Sequence, residues 1–241
     1  MKIKTNAKLF VHGVVNCILV VVIAVTILCC SVSNNQEVAT VFKSYNGVIY
    51  AGNEKTNKVA LMINVYWGTE YLDEMLNILD KHNVKATFFV GQTWVKDYPE
   101  ILKRMYQSGH EIGNHGANHK EHAKLSLAQN VEEIQKCHNE VKSVLGIDMN
   151  LFAPPGGSYN NHTTSGASSL GYQTILWTQD TIDWRDKNEE LIYSRATSLL
   201  ASGDLILMHP TEATKNVLER IILAVKSKKL TLDTVSNTIK E

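Results

Sequence analysis

Two imidazoles stand four residues apart in Gly113-Asn114-His115-Gly116-Ala117-Asn118-His119. That spacing aims two nitrogen donors at one point and forms half of a divalent metal site. The remaining ligand should come from a strand earlier in the chain. There the sequence is Ile63-Asn64-Val65-Tyr66-Trp67-Gly68, and neither Asn64 nor Val65 is an acid. Whether the chain can do metal-assisted chemistry turns on that mismatch.

The elements that must position these residues alternate. Short apolar runs over 59–65, 86–91, 151–155, 174–177 and 205–209 predict strands. Amphipathic stretches over 71–82, 99–108, 130–145 and 213–227 predict helices, the first with Leu72, Met75, Leu76 and Leu79 on one face. Repeated βα units of this length imply a parallel sheet, and in such folds function collects at the carboxyl ends of strands. Asn64, His115, Pro155, Asp183 and His209 all fall at or just after expected strand ends.

The amino terminus is different material. Lys2, Lys4 and Lys8 precede an almost unbroken apolar run over 14–30, with Asn16 its one strongly polar residue. This predicts a signal-anchor or transmembrane segment over 1–33, a polar stem over 34–57 and one domain over 58–241. Lysines ahead of the apolar run place the domain outside the cytoplasm, anchored to the membrane, or secreted if Ser31-Val32-Ser33 is a cleavage site. Lys+Arg and Asp+Glu both number 24, so no global field draws the chain to nucleic acid. Cys137 is the one cysteine of the domain, which excludes a disulfide within it, and a small core residue is expected there.

From about residue 58 onward the chain resembles the polysaccharide deacetylases, carbohydrate esterases of family 4 that remove N-acetyl groups from chitin and peptidoglycan. Five motifs occur in the family's order. Thr-Phe-Asp-Asp-Gly falls on Met62-Ile63-Asn64-Val65-Tyr66, and His-x-x-x-His is His115 and His119. Arg-Pro-Pro-Tyr-Gly appears as Ala153-Pro154-Pro155-Gly156-Gly157, Asp-x-x-Asp-Trp as Asp180-Thr181-Ile182-Asp183-Trp184, and Leu-x-His as Leu207-Met208-His209. The resemblance implies an α/β fold, a distorted (β/α) barrel of about seven parallel strands, and looks closest to the sporulation-associated branch. It further implies that His115 and His119 hold a divalent metal, zinc by this ligand type, and that Gly156 offers an oxyanion N–H. His209 would be the proton donor to the leaving amine, oriented by Asp183, with Trp184 walling the acetyl pocket and Tyr66 beside it. The partner implied is an N-acetylated amino-sugar polymer such as peptidoglycan.

The departures are specific. The family's catalytic base is here Asn64, which takes no proton near neutral pH, and the third metal ligand is Val65. The motif arginine that pairs with the base is Ala153, and the two losses are coupled, because a partly buried arginine without its carboxylate would be uncompensated. His122, three residues past His119, is expected to be solvated, and Trp94 and Trp177 to be core. Two functions follow: a deacetylase of peptidoglycan amino sugars with a modified, impaired site, or an inactive homologue that binds or helps assemble cell-wall glycan.

Overall fold

The computed structural model describes Ser44, Tyr45 and residues 47–240. The chain groups into Met1–Phe42 and Lys43–Glu241, and the description concerns the second unit. The expected membrane segment over 1–33 therefore lies outside the described residues, with the first part of the stem. Among the described residues no helix is long and apolar enough to cross a membrane.

The strands begin with β1 (Ser44–Tyr45), β2 (Val48–Ile49), β3 (Lys58–Val65), β4 (Thr87–Val90) and β5 (Glu111–Asn114). They continue with β6 (Leu151–Phe152), β7 (Gln173–Ile175), β8 (Gln179–Asp180), β9 (Leu205–Met208) and β10 (Thr231–Asp233). The helices that matter for the site are α1 (Leu72–Lys81), α2 (Gln92–Asp97), α3 (Pro99–Gln107) and α4 (Leu127–Leu145). After them come α5 (Asn161–Ser169), α6 (Glu189–Thr197), α7 (Glu212–Ser227) and α8 (Val235–Ile239).

One sheet runs in the order β1-β2-β7-β6-β5-β4-β3-β9-β8, with β10 beside the start of β3. Every pairing except β1 with β2 is parallel. The expected barrel is thus present as a curled parallel sheet. Its two flanks meet through the chain itself, because β7 and β8 are separated only by Leu176, Trp177 and Thr178. Leu176 N–H reaches Ile49 O on one flank while Thr178 N–H reaches Leu205 O on the other.

The alternation of β3 divides the core. Val59, Leu61, Ile63 and Val65 pack outward with residues of the covering helices. Ala60 and Met62 point inward with Phe89, Leu151, Ala153, Ile175, Leu205 and Val235. Side chains two apart share a face, so Asn64 joins the inner face and Val65 the outer one.

Helices α4 to α8 start where sequence chemistry supplies side-chain caps. Ser126 and Gln129 form a reciprocal capping box that opens α4, and Gly146 closes it in a left-handed conformation. The helix therefore begins three residues before the expected Asn130, which sits fully buried inside it. Residues 47–57, expected as stem, belong to the domain instead, since Val48 is buried and pairs with Thr174 of β7. Short α2, α5 and α6 lack a long apolar period and are not legible from the sequence pattern.

Candidate functional site

A cleft of about 290 Å³ opens at the carboxyl ends of the strands, lined by residues at or just after the ends of β3, β5, β6, β7, β8 and β9. Asn64, His115, His119, Gly156, Trp184 and His209, all expected at the site, line it together. Trp67, Trp177, Asp180 and Leu207 complete the wall.

The histidine pair is fixed from behind. His115 directly follows β5, its backbone N–H bonds Val90 O, and its ring Nδ1 lies 2.7 Å from Ala153 O. A carbonyl only accepts, so Nδ1 carries the proton and Nε2 keeps its lone pair. Burial, and then the neighbouring His119, push the His115 pKa down to about 3. His119 lies 5.2 Å away between ring centroids and adopts a left-handed backbone at φ +50°. Its pKa is also lowered, first by burial and then by His209.

The loop between them is held by residues that the spacing alone does not reveal. Asn114 Oδ1 accepts from Gly116 N–H, while its Nδ2 donates to Ile134 O and Tyr172 Oη. Glu133 of α4 accepts from Asn118 N–H and Nδ2 and pairs with Lys120 Nζ at 2.8 Å. Burial works to raise the Glu133 pKa, but the bonds from Lys120 and Asn118 outweigh it and the net direction is down. His122 is a correction to the expectation of a solvated side chain: it is fully buried. Asn130 Nδ2 is spent on three carbonyls, so Asn130 Oδ1 accepts from His122 Nδ1, tying the loop to α4.

The pair expected to supply a proton, Asp183 and His209, is hydrogen-bonded together. His209 Nδ1 donates to Asp183 Oδ1 at 2.7 Å, and His209 N–H donates to Oδ2 at 2.6 Å. The Thr214 hydroxyl at the start of α7 donates to the same Oδ2. Asp183 is reached through a strained turn. Ile182 sits at φ +53°, costly for a β-branched residue, and Asp180 Oδ1 accepts its N–H at 2.8 Å. Asp180 thereby has a structural task while its side chain still borders the cleft. Thr214 escaped the sequence reading; the signal was Thr211-x-x-Thr214 directly after His209, a helix cap whose second threonine turns inward.

Two aromatic placements, Tyr66 and Trp177, differ from expectation. Tyr66 does not line the cleft: it packs against His119 at 4.6 Å and fills the space a Cβ on Gly91 would need. Trp67 does line it, nearly parallel to the His209 ring at 5.8 Å and edge-on to His119 at 6.3 Å. Trp177, expected as core, is half-buried and walls the cleft, while Trp94 is core as expected. Gly156 has φ +59°, and Gly157 next to it leaves no room for a Cβ against Trp177.

The donor set does not fit a catalytic zinc. Such sites use three protein ligands and one open position. Here two imidazoles face a neutral amide, and Val65 is packed on the helix side of β3 with Val90 and Trp94. Among the described residues no three His, Cys, Asp or Glu side chains converge as metal ligands. The base position fares no better: Asn64 is only 4% exposed, and its Oδ1 is buried without a hydrogen-bond partner.

Known proteins match this arrangement. The profile of the polysaccharide deacetylase family matches residues 51–175. YlxY of Bacillus subtilis is 40% identical over 193 residues, covering 80% of this chain but 60% of that longer protein. The peptidoglycan-N-acetylmuramic acid deacetylase PdaA of the same species is 30% identical over 178 residues, 72% of this chain and 67% of that one. Among solved structures, a CE4 family pseudoenzyme from Bacillus anthracis superposes with a TM-score of 0.79 at 33% identity, over 82% of this chain and 70% of its own. A mutant of that pseudoenzyme with restored enzymatic activity matches with the same TM-score. By its fold, its ordered motifs and these likenesses, the chain belongs to the polysaccharide deacetylase family.

Proposed function

We propose that this chain is an exported, membrane-tethered member of the peptidoglycan deacetylase family that binds N-acetylated amino sugars of the cell wall, in sporulation, without hydrolysing them. The observation that carries the reading is Asn64: a neutral amide with a buried, unpartnered oxygen stands where the chemistry requires a proton acceptor. Losing a positioned general base costs about 10²–10⁴ in rate. The outward-turned Val65 removes a ligand as well. Ala153, fully buried in the inner apolar cluster, leaves nothing to pair with a base.

What the residues retain suits binding. Trp67 and Trp184 are 48% and 57% exposed at the mouth of the cleft, where flat apolar faces can stack on sugar rings. The name of PdaA supports peptidoglycan as the polymer, and the pseudoenzyme from Bacillus anthracis supports loss of turnover in this family. Export and tethering rest on the lysine-flanked apolar run over 14–30. The alternative of an impaired hydrolase is favoured by one observation, the intact Asp183–His209 pair, which could still deliver a proton from Nε2. Purified full-length chain supplied with zinc and peptidoglycan decides between them. We expect sedimentation with the polymer and no acetate above the buffer rate. Acetate release abolished by His209→Ala would establish the hydrolase, and absence of sedimentation would end the glycan-binding reading.

A further inference from the structure

Beside the cleft lies a second pocket of about 530 Å³, within the range of about 300–1,000 Å³ that holds small ligands. Trp67 and Trp184 line both, so one pair of exposed indoles borders the two compartments. The second pocket carries charges of both signs. Glu70, Glu189 and Glu212 bring carboxylates, and Lys187 brings an ammonium. Glu70 Oε2 accepts Thr69 N–H and Glu189 Oε1 accepts from Asn216 Nδ2. Lys187 and Glu212 have no hydrogen bond or ion pair among the described residues. The first turn of α7 borders the pocket through Thr211, Glu212 and Ala213. Thr211 Oγ1 caps Thr214 N–H, while the N–H groups of Glu212 and Ala213 come too early in the helix to have an intrahelical acceptor.

These groups exclude the simpler ligands. A bare anion meets three carboxylates, and a bare cation meets Lys187 and the positive end of the α7 dipole. A ligand carrying both a carboxylate and an ammonium suits both sets. Its carboxylate falls to Lys187 and the free N–H groups, and its ammonium to Glu212 and Glu70. We propose that this pocket binds a short zwitterionic peptide attached to the sugar in the cleft, so that the chain recognises peptide-bearing glycan over bare polysaccharide. The inference rests on the glycan-binding reading above and extends it from the sugar to its substituent. A ring stacked on the shared indoles brings whatever it carries to the edge of the second pocket. The stem peptides of peptidoglycan, with a side-chain amine and a terminal carboxylate, have that chemistry, and a chitin-like homopolymer lacks it.

The test is calorimetric titration of the full-length chain with two sugars. One is the N-acetylglucosaminyl-N-acetylmuramic acid disaccharide with its lactyl carboxylate amidated; the other is the same disaccharide carrying a tripeptide that ends in lysine. The unaltered chain should bind the peptide-bearing sugar tighter by about tenfold or more, the worth of a charge-assisted hydrogen bond at each end less the ordering of the peptide. Acetylating the lysine amine should cut that gain to about threefold, by removing one of the two charged ends. Lys187→Ala with Glu212→Gln, both at exposed positions that the fold does not depend on, should do the same or more. A gain below about twofold in the unaltered chain, or one that survives both the acetylation and the double variant, overturns the peptide site. In either case, sedimentation of the chain with peptide-stripped peptidoglycan leaves the glycan-binding reading standing. Failure to bind either sugar or the stripped polymer overturns both.

Discussion

The Asp183 carboxylate has no solvent-exposed side-chain surface and accepts three hydrogen bonds, from His209 N–H, His209 Nδ1–H and the Thr214 hydroxyl. Asp183→Asn keeps its volume and removes its charge. Two of the donors converge on Oδ2, so the amide oxygen must take that place and the new NH2 must face His209 Nδ1. A proton already sits there, so the imidazole has to move it to Nε2, and three charge-assisted bonds become neutral ones. Charged hydrogen bonds contribute about 1.5–3 kcal/mol and neutral ones about 0.5–1.5, roughly 1 kcal/mol less for each of the three. Relief of the desolvation of the buried carboxylate offsets about a third of that, leaving a loss of about 2 kcal/mol. For a domain of this size that lowers Tm by about 4–8 °C. Urea denaturation gives the stability, and nitrogen-15 NMR of the imidazole gives the tautomer. Unchanged stability together with a proton still on Nδ1 would show that Asp183 neither anchors nor orients His209.

Other expectations follow from the same geometry. Ala153→Arg places an unpaired guanidinium in a fully buried apolar cluster and should cost about 3–5 kcal/mol; adding Asn64→Asp should return part of it, and additivity within about 0.5 kcal/mol in a urea double-mutant cycle refutes the pairing. The folded pKa of His115 lies near 3, below its unfolded value of 6.5, so the unfolded chain binds the extra proton and stability is lost as pH falls from about 6.5 toward 3. The slope is up to about 1.4 kcal/mol per pH unit, and His115→Gln should flatten that window by the same amount. Cys137 is fully buried with its thiol pushed up to about 12, so a thiol reagent should label it only on unfolding; rapid native labelling contradicts the packing. Gly156→Ala meets no neighbour but must hold φ +59°, and should cost about 1–2 kcal/mol by thermal denaturation, with peptidoglycan sedimentation weakened if this turn shapes the cleft.

The sequence by itself determined the family, the order of the strand-end motifs and the two absent acids, because these are matters of residue type and spacing. It placed Asn64, His115, His119, Gly156, Trp184 and His209 in one site, since parallel βα units deliver every strand end to the same rim. Only the tertiary structure decided what each side chain faces. Val65 is one residue from Asn64, yet period-two alternation and packing against Val90 and Trp94 turn it to the helix side of β3. His122 has a charged neighbourhood in sequence, yet α4 buries it and gives it Asn130 as a partner. Trp177 passes for core until the step from β7 to β8 swings it into the cleft. Facing, burial and hydrogen-bond partners come from elements distant in the chain, so a string of residue types does not contain them. The missing base could be read from the letters, but the orphaned oxygen it leaves behind needed the fold.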